Sequence, residues 1–272
     1  MEILKELSQI RPIAKTIVFL RYMYLRYKYP DSAVYDIQDP RDWRAEDKLK
    51  ALRIKLPDYV DIFEETKQVP MDQKFEPACT AIGTTLLKRM ADAYEHSKLI
   101  LHDWEFLWDK QGKPANGDWL HRSFKISVAN PFFTDGKFYP WNGYATVKDK
   151  NDVSPEGIKT MKKWLARRHG IKTGISFRKG EFYADGIKFS TNMALAAHTG
   201  ILKLDIGHTD GGHDLTIGGY DEKGILTGTP GWILYTCWGK WGKWETGKMV
   251  LPYDQTYRLY STYVGFDAKD LK

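Results

Sequence analysis

The pattern of apolar residues changes at Gly170, and this change constrains the fold more than any other feature of the chain. Upstream, apolar side chains recur at helical spacing, as Ile82, Leu86, Met90 and Tyr94 do. Downstream, short β-prone runs are separated by glycine-containing turns. These runs are GIKTGISF, ILKLDIG, HDLTIGGYD, GWILYTCWG and KMVLPY. Helices followed by a block of strands are typical of the α+β class, which is the fold class that we expect.

Residues 1–55 are predicted to form an N-terminal helical extension and a connector. Apolar residues recur at helical spacing until Pro30 ends the pattern, and Pro12 marks a boundary between two helices. These helices either dock on a protein partner or a membrane face, or pack on their own domain, which we prefer. Residues 31–55 are polar and irregular, as expected of an extended connector.

Three further helices are predicted in the first half of the chain and just after it. One begins at about Thr80, and a short one follows in HDWEFLWDK. The third covers residues 154–168, where Ser154 is a suitable N-cap and Pro155 suits the first helical position. Residues 112–152 are rich in Gly, Pro, Asn and aromatic residues, which predicts loops and short strands.

Composition excludes several classes of protein. With 42% hydrophobic residues, a chain of 272 residues can bury a full core. The net charge of +6 would suit an anionic partner, but acidic and basic residues are interleaved, so we expect an ordinary basic surface and no specific nucleic acid. Charged residues interrupt the N-terminal apolar residues, so we predict no signal peptide and no transmembrane segment, and a cytoplasmic or virion-associated protein.

Cys79 is the first candidate for chemistry. It begins a helical run six residues after Gln73, and the positive end of a helix stabilises a thiolate. A cysteine beside alanine and isoleucine is more often a small buried apolar residue, so its position alone does not decide its role. His213 begins a strand, where a single histidine is more often structural. The next strand pairs with it across a turn and brings Thr236 and Trp238 near its ring.

The second cysteine, Cys237, is not expected to join this group. Side chains alternate along a strand, so Cys237 should point away from the face that Thr236 occupies, and a redox-sensitive bond to Cys79 is not expected. Two cysteines also exclude a disulfide framework and a four-cysteine zinc site. A Cys-His metal site that uses His208 or His213 lacks the short ligand spacing that such sites favour, and we predict no metal and no cofactor.

Three separated blocks resemble, in the same order, those of the papain-like cysteine peptidases. They are LPDYVDIFEETKQVPMDQKFEPACTAIG, then GGHDLTIGGYD, then TCWGKWG followed by LPYD. The resemblance covers about residues 56–255 and points to a bacterial or phage type. It implies a two-lobed fold, with a helical left lobe over about residues 56–153 and an antiparallel, β-barrel-like right lobe over about residues 154–272.

The resemblance also implies a role for each candidate residue. Cys79 would be the nucleophile and His213 its general base and acid, present together as thiolate and imidazolium. The Gln73 amide and the backbone N-H of Cys79 would stabilise the oxyanion. Thr236 stands where the family has asparagine, and its hydroxyl would accept the imidazole N-H. Trp238 would shield that hydrogen bond from water.

We therefore expect a cysteine peptidase that hydrolyses peptide bonds in a peptide or protein substrate through an acyl-enzyme on Cys79. Two other interpretations stay open. One is a catalytically weakened or inactive papain-fold module of a virion or assembly, which Thr236 motivates. The other is a peptidoglycan-directed endopeptidase, which the basic surface would favour. Residues 1–55 would be either a pro-segment over the cleft or a docking element for a protein partner.

Overall fold

The computed structural model describes ten stretches of the chain. They are residues 33–34, 43–44, 54–74, 76–115, 117–148, 154–177, 182–184, 187–189, 196–203 and 211–266. The helices predicted over residues 1–30 lie outside the described residues. Within the predicted connector, two short strands are present, β1 (Ala33–Val34) and β2 (Trp43–Arg44).

Besides a short helical segment at residues 196–199, five α-helices lie in the described stretches. They are α1 (Ile62–Glu65), α2 (Cys79–His96), α3 (Trp104–Lys110), α4 (Leu120–Ala129) and α5 (Pro155–Ala166). The predicted start of α5 is confirmed, because the Ser154 hydroxyl accepts a hydrogen bond from the Gly157 N-H at 3.0 Å. Helix α2 is buried over most of its length, but Tyr94, which we expected on its apolar face, is 56% exposed. The apolar face of α2 therefore ends before its last turn.

Helix α4 was not expected, since we predicted only loops and short strands between residues 112 and 152. It forms because Leu120 and Phe124, one turn apart, are both buried. The hydroxyls of Ser123 and Ser127 are also buried, and they donate to the carbonyls of Leu120 and Phe124. Because some residues on the buried face of α4 are polar, the spacing of apolar residues did not show the helical period.

The remaining strands agree with the sequence prediction in part. They are β3 (Tyr59–Asp61), β4 (Asp118–Trp119), β5 (Phe132–Thr134), β6 (Lys137–Tyr139), β7 (Gly143–Lys148), β8 (Ile171–Phe177), β9 (Phe182–Ala184), β10 (Ile187–Phe189), β11 (Gly211–Asp221), β12 (Gly231–Tyr235), β13 (Lys248–Pro252) and β14 (Tyr260–Phe266). The runs predicted around β8, β11, β12 and β13 and the short strands predicted within residues 112–152 are present, whereas β3, β9, β10 and β14 were not predicted. Of the predicted run ILKLDIG, the described part contributes an isolated bridge between Ile201 and Val250. A 3-10 helix, Tyr253–Arg258, joins β13 to β14.

One mixed sheet holds ten of these strands. Its main path runs β13-β12-β11-β8-β14-β7-β2, with β1 and β3 also paired to β11, and β4 paired to β1. Among the described residues, the end strands β13 and β2 do not pair with each other. The sheet is therefore open, and the expected β-barrel-like closure is wrong. Helices α4 and α5 pack against β7, near the β2 end of the sheet.

The α+β class is confirmed, with α2 packed on the sheet strands β11 and β8. Gly83 of α2 lies so close to β11 that a Cβ there would stand 2.7 Å from Oδ2 of Asp214. The helix that begins with Cys79 thus packs, at Gly83, directly against the side chain that follows His213 on β11. No helix in the described ranges combines the length and the apolar character needed to cross a membrane.

Candidate active site

Cys79 is the first residue of α2, and its side chain is fully buried and forms no disulfide. Ala78 is the N-cap residue, and its side chain makes no capping hydrogen bond. The first turn of α2 also contains no acidic side chain. The positive end of the helix dipole therefore acts on Cys79 without a nearby carboxylate in the same turn.

His213 lies in β11 with its ring 2% exposed. Its Nε2 atom is 3.2 Å from the hydroxyl oxygen of Thr236. The indole of Trp238 lies at a ring-centroid distance of 4.8 Å from the imidazole. The structure therefore brings together the three residues that pairing of β11 with β12 was expected to place side by side.

Gln73 reaches the same place from the other half of the chain. An isolated antiparallel bridge joins Asp72 to Trp238, and the backbone N-H of Gln73 donates to the carbonyl of Cys237 at 2.8 Å. These backbone contacts hold the amide side chain of Gln73, which is 3% exposed, beside the residues that follow β12. Sequence spacing alone could not show this contact, because it joins two irregular segments.

Cys237 points into the site, which corrects the sequence prediction. Its thiol donates to Oε1 of Gln73 at 2.6 Å, and its sulfur is 3.5 Å from Nε2 of His213. The alternation that we assumed does not apply, because β12 ends at Tyr235. At Thr236 the chain instead donates its N-H to the carbonyl of Gly247.

Burial controls the protonation of this site. It lowers the pKa of His213 to about 3, so the ring is neutral at pH 7 and not the imidazolium that the resemblance implied. Burial also raises the pKa of Cys237 well above its usual value, and the charges of Cys79 and Asp214 raise it further. Cys237 is therefore a protonated donor to Gln73.

Strand β1 lies directly beside these residues. Ala33 pairs in antiparallel register with Gly212, the residue before His213. The same two-residue strand pairs in parallel with Asp118 and Trp119, immediately before α4. A segment of the predicted N-terminal extension thus bridges the helical part of the chain and the sheet next to the candidate site.

A possible cation-binding group lies elsewhere. Within the described stretches, Asp92, Glu95 and His96 place their ligand atoms within 4.8 Å of one another, at the far end of α2 from Cys79. Asp92 is already bound to Lys88 at 2.9 Å and to His102 at 2.6 Å. This group has no part in the arrangement around His213.

Solved structures with the same fold are cysteine proteases. Xylellain from Xylella fastidiosa aligns over 89% of this chain and 97% of its own, with a TM-score of 0.65 and 16% identity. The proform of the ragweed allergen Amb a 11 covers 89% of this chain and 75% of its own, with a TM-score of 0.63 and 18% identity. Procathepsin B from Trypanosoma congolense covers 89% and 88%, with a TM-score of 0.62 and 14% identity.

The chain has a papain-like fold. No family model and no curated protein sequence matches it. This chain thus shares its fold with the three solved proteases named above at 14–18% sequence identity.

Proposed function

We propose that this papain-like protein is a cysteine peptidase that cleaves peptide bonds through an acyl-enzyme on Cys79. One observation carries the proposal. A buried histidine is held by the Thr236 hydroxyl at 3.2 Å beside Gln73, on a strand that packs directly against the helix beginning with Cys79. This arrangement supports Cys79 as nucleophile, His213 as base and Gln73 as oxyanion donor, the three roles that acyl transfer requires.

Thr236 would set the tautomer of the base. With the ring proton on Nε2 and donated to Oγ1 of Thr236, the lone pair of His213 is on Nδ1. Nδ1 would take the proton from Cys79, and the resulting thiolate would attack the substrate carbonyl. The same nitrogen would then protonate the leaving amine, and water would release the acyl group by the reverse sequence.

Gln73 would stabilise the tetrahedral intermediate. Its Oε1 accepts the thiol proton of Cys237, which leaves the amide NH2 group to donate to the developing oxyanion. The backbone N-H of Cys79 at the start of α2 would be the second donor. Loss of one such donor typically lowers the rate about 10²–10³-fold.

We further propose that the segment containing β1 keeps the peptidase latent. Gln73, Cys79 and His213 are each at most 3% exposed, and Ala33 pairs beside His213. A site closed to water also keeps His213 neutral, which disfavours the thiolate–imidazolium pair. This arrangement supports the pro-segment interpretation over a docking element.

Alkylation with iodoacetamide tests the proposed chemistry. Mass spectrometry of the Cys79 peptide should show faster labelling in the wild type than in His213→Ala, with Cys237 as an internal thiol of raised pKa. Limited proteolysis within residues 1–55 should accelerate labelling and release hydrolysis of a peptide substrate. Labelling of Cys79 no faster than that of an ordinary free thiol, before and after proteolysis, would instead support the binding-module interpretation that Thr236 motivates.

A further inference from the structure

A buried ion pair joins the two strands next to the candidate site. Lys172 of β8 and Asp214 of β11 have fully buried side chains, and Nζ lies 3.0 Å from Oδ2. The two strands are neighbours in the sheet, with Asp214 opposite Gly174. Burial of two charges without solvent contact costs more free energy than burial of an apolar pair of similar size. Stabilisation of the fold therefore does not account for the presence of this ion pair.

Lys172 also contacts both helices that pack on these strands. Its ammonium donates to the carbonyl of Thr80 at 2.7 Å and to the hydroxyl of Thr84 at 2.7 Å, both in α2. It donates as well to the hydroxyl of Ser123 in α4, at 2.5 Å. The lysine therefore holds the first two turns of α2, and Thr80 is the residue directly after Cys79.

Asp214 makes the matching contact from the strand. It directly follows His213, and the backbone of α2 at Gly83 packs against its carboxylate. One partner of the ion pair is thus bound one residue from Cys79, and the other is one residue from His213. A shift of α2 along β11 would have to disrupt the packing of Gly83 on Asp214 or the hydrogen bonds of Lys172 to Thr80 and Thr84.

We propose that Lys172 and Asp214 are positioning residues that align Cys79 with His213 and whose opposite charges balance the ionisation of the Cys79 thiol. The proposal deepens the proposed peptidase function and rests on it. A cation favours a nearby thiolate and an anion disfavours it. When both charges are present, their effects on the ionisation of the Cys79 thiol therefore nearly cancel.

Other charged and titratable groups face the same space. Asp72 approaches through its bridge to Trp238, and Cys237 and His213 lie within the site itself. The charge of Asp214 already reaches the site, since it contributes to the raised pKa of Cys237. The effect of the pair can therefore be separated from these groups only by changing its two charges one at a time.

Opposite shifts in a pH profile test the proposal. In the full-length protein, the rate of Cys79 alkylation by iodoacetamide is measured from pH 5 to pH 10 by peptide mass spectrometry. Asp214→Asn leaves the cation and should move the profile about one pH unit lower, whereas Lys172→Met leaves the anion and should move it about as far upward. The double variant should return to the wild-type profile.

A control variant and a second measurement distinguish the effect of the two charges from a general effect on packing. Asp92→Asn breaks another buried ion pair of α2, that with Lys88 at 2.9 Å, and should leave the alkylation profile in place. After proteolytic release, the Lys172 and Asp214 variants should lower kcat at least tenfold with little change in KM. If Lys172→Met does not fold, the difference between Asp214→Asn and the double variant still reports the sign of the charge effect.

The outcomes distinguish this inference from the proposed function. Shifts in the same direction, or no shift in either single variant, would overturn the positioning role even in an active peptidase. A wild type that hydrolyses no peptide and labels like a free thiol would overturn the peptidase function and, with it, the catalytic meaning of the pair. Opposite shifts together with peptide hydrolysis support both.

Discussion

Replacement of Thr236 by valine isolates a single hydrogen bond at the candidate site. Valine has nearly the shape of threonine but no hydroxyl, and Thr236 is 4% exposed, so the change removes one buried hydroxyl at almost constant side-chain volume. It removes the oxygen that lies 3.2 Å from Nε2 of His213. The imidazole then loses the group that orients it.

The expected loss follows from the change in charge during the reaction. In the resting site His213 is neutral, and a neutral hydrogen bond contributes about 1 kcal/mol. In the transition state the ring carries a proton, and a charge-assisted bond is roughly twice as strong. The transition state therefore loses about 1 kcal/mol more than the resting state, which lowers kcat about fivefold.

The assay is steady-state hydrolysis of a peptide after proteolytic release, with Thr236→Ser as the matched control. Serine keeps the hydroxyl and should retain activity within about threefold of the wild type. The sulfur of Cys237, 3.5 Å from the same nitrogen, is a weak acceptor and does not replace the hydroxyl. Activity of Thr236→Val within twofold of the wild type would refute the orienting role, and equal losses in both variants would assign the effect to the methyl group.

Two further predictions concern stability. Because burial lowers the pKa of His213 to about 3 while the unfolded value is near 6.5, the unfolded chain binds the extra proton between these values. The free energy of unfolding should thus fall as the pH drops from 6.5 towards 3. Measured by urea unfolding, this fall should be about 1.4 kcal/mol per pH unit steeper in the wild type than in His213→Gln. The same pH dependence in both proteins would contradict this. Gly83→Ala would gain helix propensity but places a Cβ 2.7 Å from Asp214, so urea unfolding should show a net loss of about 1–3 kcal/mol. A variant as stable as the wild type would show that α2 can move away from β11.

Local signals in the sequence predicted a large part of this fold. Ser154 and Pro155 fix the start of α5 through a cap and a restricted φ angle, and both act within one turn. The approach of Thr236 and Trp238 to His213 was also predictable, because two consecutive strands joined by a turn pair with each other. The roles of these residues remain predictions until the experiments above are done.

The parts that escaped prediction depend on contacts between distant segments. Cys237 turns into the site because a hydrogen bond of Thr236 to Gly247 replaces the strand ladder, and no spacing rule encodes that. Lys172 and Asp214 lie at strand positions where a charged residue would normally face water. Only the three-dimensional meeting of the two charges, with hydroxyls supplied by two helices, makes their burial possible.

Strand β14 has a consequence for how the chain is made. It lies between β8 and β7 and pairs with both, yet it is translated after every other described strand of the sheet. The ring of Tyr260 in β14 also covers Gly174 of β8, where a Cβ would stand 2.2 Å from that ring. Until β14 leaves the ribosome, β7 and β8 expose open backbone edges that invite pairing with other chains. Synthesis of this protein thus passes through a nascent state with a gap in its sheet, which closes when β14 inserts between β8 and β7.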